Sequence, residues 1–318
     1  MNAHTPGLSD ANRAVHDACE RELAARLEPL PDQPAETVAT TLAALWHAAA
    51  GQPKSARAAA ATMLPGLDEV AQERLRSLVR RRLEGTPLAH LTGRQHFMGL
   101  EMIASPDALV PREETQLLGD AALERLRGAV RARGEARAID VCTGSGNLAL
   151  ALAWHEPRAR LWGADLSAPA IALANRNAAF LGLADRVAMV EGDLLDPFDT
   201  PQFHGTIDLV VCNPPYISSA RVATMPLEIR DHEPRLAFDG GPFGIRILAR
   251  LIDQAPAVLR AGGVLAFEVG LGQGPGLRRR LEKHEGSDQV AEIVDARGQA
   301  RALIAISRAR NATKAAAP

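Results

Sequence analysis

The chain has 318 residues, 47% of them hydrophobic and 23% charged, with a formal net charge of -2. That length accommodates one large domain and a small one, in the composition range of a soluble globular protein, and a charge near zero weighs against a protein that wraps duplex DNA. Only 3% of the residues are aromatic, so the core must be built from Leu, Val, Ile and Ala. Cys19, Cys142 and Cys212 show neither CxxC nor Cys/His ligand spacing, which suits reduced cytosolic thiols and predicts no metal. Met1–Asp10 lacks a charged-then-apolar signal pattern, and no window approaches ~18 uninterrupted apolar residues, so a cytoplasmic protein with no membrane partner is expected.

From about Ala11 to Leu83 a composition rich in Ala, Leu, Arg and Glu, punctuated by Pro and Gly, predicts short helices joined by tight loops. The clearest spans Leu67–Leu83, with Leu67, Val70, Leu75, Leu78, Val79 and Leu83 on one apolar face and Gly85 as a stop. Its Arg74, Arg76, Arg80, Arg81 and Arg82 read first as a solvated face, with a docking patch for an acidic or RNA-bearing partner as the alternative. Between Thr86 and Arg112, prolines and glycines bracket short apolar pieces such as Leu100-Glu101-Met102-Ile103, predicting a β-hairpin or an irregular connector. A helix from Glu114 to about Arg127 leads into the main domain.

From Ala136 onward strands and helices alternate. Strands are predicted at Ala138–Val141, up to Asp165, at Val187–Glu191, Ile207–Val211 and Val264–Val269. Helices are predicted at Leu148–Trp154, Pro169–Phe180 with Ser167 as N-cap, Gly244–Leu259 and Gly276–Lys283. Such alternation demands a mainly parallel sheet with helices on both faces. The last two strands, Val290–Val294 and Ala302–Ile306, have no helix-length spacer and should pair antiparallel at an edge. The expected divisions are residues 1–85, 86–113 and 114–318.

The turn Asp140-Val141-Cys142-Thr143-Gly144-Ser145-Gly146 joins the first main-domain strand to its helix and exposes amides at a helix start. Gly144, Gly146 and Ala149 also satisfy the dinucleotide pattern GxGxxA, so the turn alone does not discriminate. Asp165 and Asp193 end the next two strands. Three carboxylates at three successive strand ends suit a ligand with an ammonium at Asp140, a ribose at Asp165 and an adenine at Asp193, which describes S-adenosylmethionine. Thr143, Ser145, Leu166 and Leu194 are counted with that pocket, and Asn213 with both it and the reaction centre. Singly, each aspartate could equally be a helix cap or a loop solvator.

The apolar run Ile207–Val211 stops at Asn213-Pro214-Pro215-Tyr216, a polar residue and two prolines that cannot continue a ladder, so Asn213 points outward from the rim of a sheet. The Asn213 side-chain carbonyl and the Pro214 backbone carbonyl can each accept an N–H, and Tyr216 can pack on a planar group. A proline-stiffened turn would account for Pro214 and Pro215 alone.

Asn-Pro-Pro-Tyr at this place resembles the signature of amino-group methyltransferases, which act on adenine or cytosine amines or on a glutamine side-chain amide. Further segments resemble the HemK-type protein glutamine methyltransferases: Thr86-Pro87-Leu88-Ala89-His90-Leu91-Thr92-Gly93 with Phe97 and Gly99, Leu109-Val110-Pro111-Arg112 with Glu114-Thr115, His232–Ala237 with Asp239-Gly240-Gly241, Phe267-Glu268-Val269-Gly270 with Gly272-Gln273, and Asp295, Gly298 and Arg301. The likeness covers roughly residues 86–307. It implies an α/β, Rossmann-like class I S-adenosylmethionine-dependent methyltransferase fold with a seven-stranded mixed sheet, a small helical amino-terminal domain for substrate recognition and a β-hairpin connector. It also implies N5-methylation of a protein glutamine, the Gly-Gly-Gln glutamine of peptide chain release factors first, which would place the chain in translation termination. Cys142, Glu113 and Gln116 depart from that branch, which keeps a ribosomal protein or another protein as alternative substrates. From other classes, a nucleic-acid adenine amino-methyltransferase, a non-catalytic binding protein and a NAD-dependent oxidoreductase remain alternatives. Direct nucleic-acid binding is not expected.

Overall fold

The computed structural model of the chain describes residues 8–28, 30–222, 224–225 and 227–308. The reading of the amino terminus as free of a signal pattern lies, for residues 1–7, outside the described residues. The chain forms two units, Met1–Glu113 with Met225–Pro234, and Glu114–Thr224 with Arg235–Pro318.

The first unit is helical. Helices α1 (Asp10–Arg26), α2 (Val38–Ala49), α3 (Ala56–Ala60), α4 (Glu69–Leu83) and α5 (Leu88–Thr92) precede an antiparallel hairpin of β1 (Arg94–Phe97) and β2 (Leu100–Ile103). Leu23, Leu42, Leu45, Trp46, Leu75 and Val79 form its core. Helix α4 starts two residues later than the periodicity suggests because Asp68 caps it, accepting from Ala71 N at 2.8 Å. Val70 departs from the expected apolar face: it is 69% exposed, and Ala71 is buried in its stead. The basic face departs too, since Arg74, Arg76, Arg80 and Arg81 are exposed but Arg82 is buried.

Arg82 and Arg112 organise this unit. Arg82 bridges Glu36 at 3.2 Å and Glu228 at 2.8 Å. Arg112 bridges Asp32 at 3.4 Å and Glu233, whose other oxygen accepts from Val110 N at 2.9 Å. Each guanidinium thus joins a carboxylate of the α1–α2 connection to one on or just after the short helix Leu227–His232. Burial raises the Glu36 carboxyl to about 7, and the Arg82 guanidinium only partly offsets it.

The second unit is a seven-stranded sheet in the order β5-β4-β3-β6-β7-β9-β8. Its strands are β3 (Ala136–Val141), β4 (Ala159–Asp165), β5 (Val187–Glu191), β6 (Ile207–Cys212), β7 (Leu259–Glu268), β8 (Ser287–Val294) and β9 (Ala300–Ser307). Pairing is parallel from β5 through β7 and antiparallel for β7–β9 and β9–β8. The last two strands do pair antiparallel, and β9 inserts between β7 and β8, leaving β8 at the edge. Helices α6 (Thr115–Arg133), α7 (Asn147–His155) and α8 (Ala168–Phe180), with Arg246–Val258 and Gly274–Lys283, cover the sheet. Helix α6 outruns its expected end at Arg127 because Leu126 and Val130 continue its buried face past Gly128, and it stops at Gly134 (φ 84°). Ser167 caps α8, accepting from Ala170 N at 3.3 Å. Asp208, buried near the start of β6, gathers Arg133, Arg260 and the Arg137 amide, so the end of β6 away from Asn213 is tied down by charge.

Removing one partner of a buried ion pair leaves an uncompensated charge, at a cost of about 3–5 kcal/mol, whereas replacing both is far milder. Arg112→Met is therefore expected to lower stability by about that amount, and Arg112→Met with Glu233→Gln to recover most of the loss, as read from denaturant unfolding. Equal losses in the single and double variants would show that the pair does not hold the unit.

Candidate active site

Strands β3 and β6 are parallel neighbours, with Val141 opposite Cys212. The strand order runs outward through β4 and β5 on one side of β3 and resumes with β6 on the other. Ligands in open α/β sheets bind at the carboxyl ends of strands at such a reversal. The turn after β3 and the Asn213 segment after β6 therefore leave the sheet side by side.

Asp140 closes this turn from inside. It is 1% exposed, and its Oδ2 accepts from Thr143 Oγ1 at 2.6 Å and Ala149 N at 3.1 Å. Its Oδ1 is buried without a partner among the described residues. Burial pushes the carboxyl up to about 7, with the two hydrogen bonds pulling against it. Asp165 accepts from Gly144 N and Ser167 N, each at 2.9 Å, and its carboxyl is raised by burial. Gly146 carries φ 81°, and a Cβ there would meet Met189 Cε at 2.9 Å, so only glycine lets the turn pack this tightly. Ser145 Oγ is buried and unpartnered among the described residues, while its carbonyl accepts from Asn177 at 3.1 Å. Asp193 follows Gly192, whose amide donates to the Asp165 carbonyl at 2.9 Å, and is half-exposed in an ion pair with Arg250 at 2.9 Å. Leu166 is exposed, and Leu194 is buried with φ 51°.

Asn213 donates from Nδ2 to Thr115 Oγ1 at 3.1 Å, which leaves its Oδ1 as the outward acceptor. The Tyr216 hydroxyl donates to Glu268 Oε1 at 2.9 Å and lies 3.4 Å from Glu114 Oε1, while the other oxygen of Glu114 pairs with Arg301. Pro214 and Pro215 are buried. Glu268 is 3% exposed; burial pushes its carboxyl up to about 7, and the Thr115 and Tyr216 hydroxyls hold it down in part. Gln273 clips the motif from outside, donating to Tyr216 O at 2.9 Å while its Oε1 accepts from Gly270 N at 2.9 Å. Gly244 (φ 67°) lies so close that a Cβ would overlap the Tyr216 carbonyl oxygen. Ile217 N donates to Phe238 O at 3.0 Å, and Ser219 Oγ to Asp239 at 2.6 Å, so the Asp239-Gly240-Gly241 loop lies along the motif.

Thr115, Glu268 and Gln273 entered the sequence reading only as parts of a family likeness. A signal for Glu268 was present: a carboxylate closing the apolar run Val264–Phe267 must either be paired or do chemistry.

Residues 120–229 match the Methyltransferase small domain family. The release factor glutamine methyltransferase of Moorella thermoacetica is 39% identical over 244 residues, spanning 76% of this chain and 82% of that protein. The release factor glutamine methyltransferase of Bradyrhizobium diazoefficiens is 39% identical over 271 residues, spanning 85% and 87%. Among solved structures, the hMettl16 catalytic domain in complex with the MAT2A 3'UTR hairpin 6 shares the fold, with a TM-score of 0.51 at 18% identity over 72% of this chain and 81% of that one.

Asp140, Glu268 and Glu36 are each displaced upward to about 7, so the native state keeps protons that an unfolded carboxyl near ~4 releases. Their contribution to stability is full below about pH 4 and is lost as pH rises through about 7. Thermal unfolding should give a midpoint roughly 5 °C lower at pH 8 than at pH 5.5, with Asp140→Asn removing part of that difference. A midpoint climbing steadily across the same range would contradict this.

Proposed function

The chain belongs to the release factor glutamine methyltransferase family, and from that membership we propose that it transfers a methyl group from S-adenosylmethionine to the side-chain amide nitrogen of a glutamine in a peptide chain release factor. The observation that carries this reading is Asn213, whose nitrogen is engaged inward by Thr115 while its oxygen is left as an acceptor.

When bound, S-adenosylmethionine would supply a methyl group on a positively charged sulfur, and the carbon–sulfur bond that breaks would leave its electron pair on a neutral thioether. The chain's own residues fit that group. Asp140 Oδ1, a buried carboxylate oxygen without a partner among the described residues, suits an ammonium. Asp165 suits ribose hydroxyls at the end of β4. Asp193 can accept from an adenine amine with lone pairs that Arg250 leaves over, since a carboxylate has about four. Thr143 orients Asp140, Gly144 orients Asp165, and Ser145, Gly146, Leu166 and Leu194 complete the pocket.

An amide nitrogen is a poor nucleophile because its lone pair is delocalised into the carbonyl. Asn213 Oδ1 and the Pro214 carbonyl each accept one of its N–H groups, which fixes the amide plane and holds the nitrogen in line, and the Tyr216 ring walls the amide face. Pro215 stiffens the turn that presents them. As the nitrogen–carbon bond forms, the proton on nitrogen becomes acidic and passes to water or a carbonyl, so no strong base is required. The helical unit, read as residues 1–85 with the hairpin of 86–113, is assigned to substrate recognition. No described helix is long and apolar enough to cross a membrane, and a cytoplasmic location accords with a translation protein as substrate.

Incubation with label-bearing S-adenosylmethionine and, separately, a release factor, a large-subunit ribosomal protein and DNA should place label on the release factor, and none on a release factor whose Gly-Gly-Gln glutamine is replaced. Label on DNA alone would overturn the reading. Asn213→Ala should lower transfer ~100-fold or more while S-adenosylmethionine affinity, followed by calorimetry, stays within about 3-fold, because its oxygen serves the acceptor first.

A further inference from the structure

The acceptor motif does not hold itself in place. Asn213 is half-buried at the end of β6, and Tyr216 is half-buried three residues on. Their inward polar atoms end on two side chains behind them, Asn213 Nδ2 on Thr115 Oγ1 at 3.1 Å and Tyr216 Oη on Glu268 Oε1 at 2.9 Å. Thr115 is 1% exposed at the first turn of α6 and Glu268 is 3% exposed at the end of β7, so neither is available to touch a substrate. Glu268 Oε2 is buried without a hydrogen-bond partner among the described residues, and the Thr115 hydroxyl is one of the two groups that hold the Glu268 carboxyl down.

A hydroxyl carries one proton and two lone pairs. Where a lone pair of Thr115 takes the Asn213 N–H, its own proton needs an acceptor, and Glu268 lies behind it. Glu268 also receives the Tyr216 proton. We propose that Thr115 and Glu268 are positioning residues that set the polarity of the acceptor site: the carboxylate draws the hydroxyl protons of Thr115 and Tyr216 inward, Thr115 accepts from Asn213, and the Asn213 amide presents its oxygen outward. The inference rests on the methyl transfer to an amide nitrogen assigned above.

The consequence is a selection between the two ends of the substrate amide. With oxygen outward, Asn213 takes the N–H end and aims the nitrogen at the methyl group. With nitrogen outward it would take the carbonyl end and turn the nucleophile away. A glutamate side chain in carboxylate form, lacking N–H, is refused by the same polarity.

The groups facing Glu268 are the Thr115 hydroxyl from α6 and the Tyr216 hydroxyl from the segment after β6, and the Glu114–Arg301 pair reaches it through Tyr216. Below about 7 the carboxyl carries its own proton and competes as a donor, so the direction of the network is lost. Turnover should therefore rise with pH through about 7 and level off above it.

Tyr216 is the single tyrosine of the chain, so ring-labelled tyrosine gives one magnetic resonance signal from this site. In the wild-type protein that signal should titrate with a midpoint near 7, a step abolished by Glu268→Gln. Methyl transfer to a release factor is measured alongside. Thr115→Val and Glu268→Gln should each lower kcat ~10- to 100-fold, with KM for S-adenosylmethionine little changed. Thr115→Ser should restore turnover, Glu268→Gln should lose the ascending pH limb, and the double variant should fall no further than the worse single one. The proposal is overturned if the Tyr216 signal has no step near 7 and Glu268→Gln keeps wild-type kcat, or if the losses of the double variant multiply. A wild-type protein that labels no release factor would sink the functional reading instead, leaving the Tyr216 titration to judge the network by itself.

Discussion

Everything at the site depends on one parallel pairing, that of β3 with β6. Its register sets Val141 against Cys212, so the turn that follows one strand and the Asn-Pro-Pro-Tyr segment that follows the other begin at the same level of the sheet. A slip of one residue would exchange the faces of every side chain on β6 and shift the Asn213 segment relative to the turn after β3. The register is protected by burial, since all six residues of β6 are buried and the strand starts with Asp208 anchored by Arg133, Arg260 and the Arg137 amide. Charge fixes the end of the strand where no chemistry is expected and leaves the opposite end to polar side chains.

The motif beyond β6 is irregular backbone, and irregular backbone keeps its shape only where its polar groups find partners. Gln273 supplies them for the Tyr216 carbonyl, the Asp239 loop supplies them for Ile217 and Ser219, and glycine at 244 allows the second strand of backbone to come close enough. Behind the motif, Thr115 and Glu268 meet Asn213 and Tyr216 from two other elements of the same unit. Three side chains distant in the sequence, Thr115, Glu268 and Gln273, thus each hold one atom of a segment four residues long.

In the helical unit a related economy operates with charge. Four carboxylates, Asp32, Glu36, Glu228 and Glu233, share two arginines. Too few cations for the carboxylates means that one proton is readily retained, and Glu36, raised to about 7, is where burial favours it. Two of the four carboxylates belong to Met225–Pro234, a segment that the chain inserts into this unit between two stretches of the other. Arg82, which sits among exposed arginines in sequence, is the member of its helix that the fold took inside.

What the sequence determined by itself were features whose cause lies within a few residues. The strand ends at Asp165 and at Glu191, the Ser167 cap and the stop imposed by Pro214 and Pro215 are local, because capping, periodicity and missing donors act between neighbours in the chain. The same locality misled where a neighbour's effect was overridden: the helix expected to end near Arg127 runs on to Arg133 because buried Leu126 and Val130 carry α6 past Gly128, and Val70 fits an apolar stripe yet faces solvent. Only the tertiary structure decided which way the Asn213 amide faces, that Asp193 is bound to Arg250, that Arg82 is buried, and that Glu268 stands behind Tyr216. Those outcomes turn on partners between 46 and 146 residues away, and the free energy of a buried polar group depends on whether such a partner arrives, which no local pattern encodes.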